Sequence, residues 1–159
     1  MVSTDWLKKT ELFGGLDEIH LKILLSHSVV ESFPEGKTIF HQGDKATHLY
    51  ILMEGAVHLT VKGTPEEKID LMASNVDKEG AAFGIPSLIE PYLYNVTAAC
   101  LKSSKVLTIE ADRIRNEIEK DPRMGMEVMK KLASIYFNRL NEMRSGVSNL
   151  IKVLKLKGS

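Results

Sequence analysis

Between Val29 and Glu110 the chain breaks into short apolar runs, each stopped within a few residues by a turn signal. The predicted strands are Val29 to Phe33, Thr38 to His41, His48 to Met53, Ala56 to Val61, Lys68 to Ala73, Asn95 to Leu101 and Lys105 to Ile109. Gly36, Gly43, Gly55, Gly63 and Gly80 sit at or near the breaks, where a positive φ costs glycine little. Strands this short and this closely spaced point to a sandwich, jelly roll or barrel rather than a parallel α/β sheet.

The flanks have a different period. From Ser3 to about Ser28 it is helical: Ser3 or Thr4 can cap a short helix carrying Trp6 and Leu7. Asp17 can cap a second, with Ile19, Ile23 and Leu24 on one face. Phe13-Gly14-Gly15 is the turn between them. After Ala111 the helical period returns, with Ile114 and Ile118 on one face of a helix ending near Asp121. Pro122 then suits the first turn of a new helix. That helix can run some thirty residues, roughly 45–50 Å. The expected class is α+β: a β-roll (double-stranded β-helix or jelly roll) with N-terminal helices and a long C-terminal helix. The expected division is 1–121 for the roll with its flanking helices and 122–159 for the long helix.

On that last helix Val128, Leu132 and Ile135 form a broad stripe suited to packing on the strand domain. Beyond it, Tyr136, Leu140, Met143, Val147, Leu150 and Leu154 follow at steps of four and three, the spacing of a coiled-coil seam. A small roll cannot cover the far end of so long a helix, so a homodimer through these six residues is expected. Ser145-Gly146-Val147-Ser148-Asn149 is a run of poor helix formers and a candidate kink. Lys152, Lys155 and Lys157 lie opposite an apolar face, a pattern also compatible with a membrane surface or partner helix and ranked below the dimer.

Charge narrows the function classes. Lys+Arg and Asp+Glu stand at 21 each and the pI is about 7.0, which argues against a nucleic-acid-binding surface. One cysteine, Cys100, rules out an internal disulfide and fits a reducing setting. MVSTDWLKK has no apolar core of a signal peptide, and no apolar run is long enough to span a bilayer. A soluble cytoplasmic domain is the expectation.

The stretch PEGKTIFHQGDKATHLYILMEGAVHL, Pro34 to Leu59, resembles the opening of the cyclic-nucleotide-binding domain family, the sensor fold of catabolite-activator and FNR-type regulators. The matching residues are Gly36, Ile39-Phe40, Gly43-Asp44, Leu49-Tyr50-Ile51-Leu52 and Gly55-Ala56-Val57. Leu12-Phe13-Gly14-Gly15-Leu16 upstream and Gly80 through Phe83-Gly84 downstream extend the likeness over roughly residues 6 to 155. The resemblance implies a β-roll flanked by helices, the last often a dimer interface, acting as a regulatory module without catalysis.

It also implies a phosphate-binding cassette over FGIPSLIEPYLYNVTAAC, residues 83 to 100. The equivalent positions are Gly84, Ile85, Pro86, Ser87, Tyr94, Asn95 and Thr97. In the family the residue after Phe-Gly is a Glu that holds the ribose, and an Arg three residues before the Thr holds the cyclic phosphate. Here those positions carry Ile85 and Tyr94, and Glu90 is the only charged side chain between Ala81 and Cys100. A charge-assisted hydrogen bond contributes about 1.5–3 kcal/mol. Losing both ligands removes roughly 3–6 kcal/mol, about two to four decades of affinity. Pro86 removes a further N–H donor from the turn. cAMP and cGMP are therefore not expected to bind appreciably, unless a basic group arrives from elsewhere in the fold. Ile85, Leu88, Tyr92 and Tyr94, with a residue from the last helix, are expected either to fill the cavity or to line it for a different small effector. In the second case Tyr94, Asn95 and Thr97 would supply the hydrogen bonds.

Other chemistries have weaker carriers. A metal-dependent cupin-like roll would use His-x-His, which His41, His48 and His58 do not form. Cys100, in an apolar strand, reads as a small buried hydrophobe. No nucleophile elbow, P-loop or paired-cysteine motif is present. The transcription-factor relatives append a DNA-reading module after the long helix. The expectation is either a stand-alone sensor or adaptor or a piece of a longer protein, with no DNA-reading element in these 159 residues.

Overall fold

A computed structural model describes residues 2–62 and 70–158. Two short helices open the chain: α1 (Thr4–Lys8), capped by the Ser3 hydroxyl accepting from Trp6 N, and α2 (Glu18–Ser26), capped by Asp17 accepting from His20 N. Eight strands follow among the described residues: β1 (Ser28–Phe33), β2 (Thr38–Phe40), β3 (His48–Glu54), β4 (Val57–Lys62), β5 (Asp70–Val76), β6 (Ala82–Phe83), β7 (Thr97–Cys100) and β8 (Ser104–Glu110). A 3-10 turn, Ile85–Leu88, lies between β6 and β7. Two helices close the chain, α3 (Ala111–Lys120) and α4 (Pro122–Lys157).

The strands form two four-stranded antiparallel sheets, ordered β1-β8-β3-β6 and β2-β7-β4-β5, which makes the roll. β3 shows how one strand serves two cores. Leu49 and Ile51 face a cluster shared with all four helices, while Tyr50 and Leu52 face a second cluster inside the roll. Alternation of side chains along a strand imposes this division. β8 repeats it, with Leu107 and Ile109 on the helix side and Val106 inside the roll. Gly55, at the β3–β4 turn, has φ 100°, and a Cβ there would lie 2.6 Å from the Ser103 carbonyl oxygen. No residue with a side chain fits that approach.

Several expectations shift. The expected strand at Lys68 to Ala73 begins outside the described residues, and its described part belongs to β5. The expected strand from Asn95 starts only at Thr97. Residues 94–96 belong instead to a loop tied to the β2–β3 turn: Gly43 N donates to Tyr94 O at 2.8 Å and Tyr94 N to Asp44 O at 2.9 Å. On α2, Ile19 is 69% exposed and the buried residues are Leu21 and Leu24. The core lies on the side of the i, i+3 pair Leu21–Leu24, with Leu25 half-buried beside it.

α4 is one continuous helix of 36 residues, about 54 Å long, and it passes through Gly146 without interruption. Met124, Val128, Leu132 and Ile135 are buried in the helix-side core, with Tyr136 packed at its edge. Past that point Leu140, Met143, Val147, Leu150 and Leu154 are exposed. The α3–α4 elbow is pinned to α2: His20 Nε2 lies 2.8 Å from Asp121 Oδ2, and Asp121 also accepts from Arg123 N as the α4 cap. No described helix is long and apolar enough to cross a membrane.

Candidate ligand-binding site

The cassette starts where β6 ends against β3. Gly84 takes φ 73°, and a Cβ at that position would meet the Tyr50 ring at 3.0 Å and His48 O at 3.1 Å. Glycine is thus required both by conformation and by space. In the following 3-10 turn Ser87 N donates to Gly84 O at 3.1 Å, and just past it Ile89 N donates to Pro86 O at 3.2 Å. With Pro86 offering no N–H, the turn is poorly equipped to cradle an anion.

The expected filling of the cavity is partly overturned. Ile85 and Leu88 are buried, but both belong to the helix-side core and not to the interior of the roll. Ile85 follows Phe83 by two residues across the left-handed Gly84, and the turn carries it over toward the helices. Tyr92 does not enter the roll either: its ring lies under Arg115, whose Cζ is 4.1 Å from the ring centroid. Tyr94 alone of the four occupies the roll interior.

The roll core contains an aromatic group of four among smaller apolar side chains. Tyr94 stacks on Phe40 with centroids 3.8 Å apart and planes 14° from parallel. Phe40 also meets Tyr50 at 5.7 Å, and Tyr50 meets Phe83 at 5.2 Å. The Tyr94 hydroxyl donates to His48 O at 2.7 Å and accepts from His48 N at 3.2 Å, so its donor and one acceptor site are taken by β3 backbone. Burial raises the Tyr94 pKa; burial and then the neighbouring Tyr94 phenol raise that of Tyr50. Both rings are neutral at physiological pH. Tyr50 escapes a sequence reading because β3 is apolar on both faces, so its alternation carries no polarity signal; Phe40 on β2 and Phe83 on β6 lie in strands too short to show a period.

The remaining cassette positions are spread out. Thr97 is buried and its Oγ1 accepts from Gln42 N at 2.9 Å, a structural bond to the β2–β3 turn. Asn95 is exposed and Pro86 half-buried. Ser87 is fully buried, and its Oγ has no hydrogen-bond partner among the described residues. From the last helix Arg139 Nη2 donates to Ala82 O at 2.9 Å, while Ala82 N donates to Glu11 Oε1 at 2.9 Å. The peptide leading into the cassette is therefore held from both sides. Beside it a cleft of about 500 Å³ runs between the end of β5 and α4, lined by Lys78, Lys131, Ser134, Asn138, Arg139 and Glu142 among others.

Cys100 is buried in the roll with its thiol pKa raised by desolvation. His48 Nδ1 pairs with Thr47 Oγ1 and His58 Nδ1 with Asn75 Oδ1. Among the described residues no group of three or more His, Cys, Asp or Glu is placed to hold a metal ion.

The sequence profile of the cyclic nucleotide-binding domain family matches residues 30–121, more than half of the chain. The chain belongs to that family. It is 28% identical over 138 residues to the Cyclic AMP receptor protein of Thermus thermophilus, covering 86% of this chain and 60% of the relative. It is 28% identical over 110 residues to the Global nitrogen regulator of a Nostoc species, covering 67% and 47%. Among solved structures, a Geobacter metallireducens GS-15 protein described as cyclic nucleotide-binding superposes with a TM-score of 0.77. That match is 32% identical and covers 88% of this chain and 99% of the other. The chain thus spans about half to three-fifths of the length of these curated relatives.

Proposed function

We propose that this chain is a regulatory module, not an enzyme, of the catabolite-activator and FNR type, cytoplasmic, whose roll is closed to cyclic nucleotides and which pairs with a second copy through α4. The observation that carries the first part is Tyr94. It stands at the family's phosphate-arginine position, stacks on Phe40 at 3.8 Å, and has its hydroxyl bonded to His48. A nucleotide entering the roll would displace it. Breaking the stack costs about 0.5–1.5 kcal/mol, and each hydrogen bond about as much again. This adds to the roughly 3–6 kcal/mol forfeited with the missing Glu and Arg. A thermal-shift series with cAMP and cGMP tests it: no shift at millimolar nucleotide is expected, and a rise of several degrees would contradict it.

The second part rests on the exposed stripe. Leu140 is 44% exposed and Met143, Val147, Leu150 and Leu154 are 57–60% exposed, in seam spacing on one unsupported helix. Tyr136 packs against the core of its own chain, so the seam begins at Leu140. The division at residue 121 then separates roles more than cores, since α4 up to Ile135 completes the roll's helical side. A second reading, in which the domain senses another small effector, is favoured by the polar cleft beside Arg139. In that reading a small polar effector would move the Arg139–Ala82 contact and so act on α4. Native mass spectrometry of purified protein separates the two: a retained small molecule supports the effector reading.

A further inference from the structure

Away from the roll interior, a cleft of about 370 Å³ opens between α3, the β2–β3 loop and the outer part of the cassette loop. Its walls are tied by backbone bonds: Ala46 N donates to Tyr92 O at 2.7 Å, Ala111 N to Thr47 O at 2.9 Å, and Lys45 bridges Leu93. Tyr92 has φ 58°, an unfavourable region for an aromatic residue and one where Gly or Asn would be cheap. That backbone places the Tyr92 ring beneath the Arg115 guanidinium. Arg115 ties one nitrogen to Asp112 at 3.0 Å, while its buried Nε has no hydrogen-bond acceptor among the described residues. Lys45, on the facing wall, is exposed and makes no ion pair with a described residue.

We propose that this cleft binds a small organic monocarboxylate, its carboxylate between Lys45 and Arg115 and its apolar body against Tyr92 and Leu93. Charge selects the class. Two cations and the Asp112 carboxylate leave the cleft one positive charge in excess, matching a monoanion better than a phosphate dianion. Of the backbone donors nearby, Ala46 N and Tyr92 N are already spent, which leaves fewer N–H groups for the nest that a phosphate site uses. Pro91, Tyr92 and Leu93 supply an apolar wall, and the volume lies at the small end of ligand pockets. The site is separate from the roll, so its occupancy does not depend on whether the roll admits a nucleotide.

The test is an NMR titration of the full chain with hexanoate and benzoate, using hexanamide and benzamide as neutral counterparts and inorganic phosphate as a competing anion. The expected result is saturable shifts at Lys45, Thr47, Tyr92, Leu93 and Arg115 with the carboxylates and none with the amides. Lys45→Met, an exposed change that leaves the fold intact, is expected to weaken binding about tenfold. Non-saturable shifts spread over surface lysines, equal binding of the amides, tighter binding of phosphate, or unchanged affinity in Lys45→Met would each overturn the proposal.

Discussion

Ser87 and Tyr94 are both buried hydroxyl residues of the cassette, and their situations are opposite. The Ser87 Oγ has no partner among the described residues, so removing it deletes a buried polar atom that they leave unsatisfied. Ser87→Ala is expected to be neutral or stabilising by about 1 kcal/mol in chemical denaturation. Tyr94 is held by stacking and by two bonds to His48. Tyr94→Phe should lose about 1–3 kcal/mol for the hydroxyl, and Tyr94→Ala about 3–5 kcal/mol for the cavity. Asp121 gives a pH signature. The hydrogen bond from His20 and then that from Arg123 N hold its pKa below the ordinary carboxylate value. A depressed carboxylate contributes stability above its unfolded pKa and loses it as pH falls through the folded one. The contribution is therefore whole at neutral pH and fades below the normal Asp range. His20→Leu is expected to move the Asp121 pKa up toward that range in a carboxyl-detected NMR titration; an unmoved Asp121 would refute the pairing.

At the scale of elements, α4 carries the clearest test. Gly146 lies in the helix with nothing within 4 Å of where a Cβ would stand. Gly146→Ala should stabilise the helix by about 1 kcal/mol without steric cost, measured by the loss of helical ellipticity on heating. Leu140→Glu and Leu150→Glu put charge into the seam. Light scattering should show a wild-type dimer and a monomeric double variant; a monomeric wild type would remove the seam from the account. The helix caps, the Pro122 start and the roll's strands were legible because each depends on local chemistry: an oxygen at Ser3 or Asp17, a missing N–H, a short apolar run between turns. β6 was not, since two residues carry no period. The start of β7 was misjudged because Asn95 and Val96 have strand-like composition, while the Tyr94 backbone pairs with the β2–β3 turn. The buried face of α2 was misjudged because nine residues offer too few apolar positions to fix the face without knowing where β3 lies.

For the whole molecule, the two cores divide the labour. The helix-side core joins α1, α2, α3, the first half of α4 and the outer faces of β3 and β8. The roll core holds the aromatic group of Phe40, Tyr50, Phe83 and Tyr94. That positions 85 and 94 carry no charge was readable from the sequence, because charge is a property of single residues. The meeting of Phe40, Tyr50, Phe83 and Tyr94 was not, because they come from four separate segments and come together only through the fold. The Arg139–Ala82–Glu11 contacts, which tie α4 and the N-terminal segment to the cassette, were hidden for the same reason. The most direct measurement is isothermal titration of cAMP, and of cGMP, into the wild-type chain. No saturable heat up to about millimolar nucleotide is expected, given the missing Glu and Arg and the seated Tyr94; a micromolar dissociation constant for either nucleotide would contradict the closed roll.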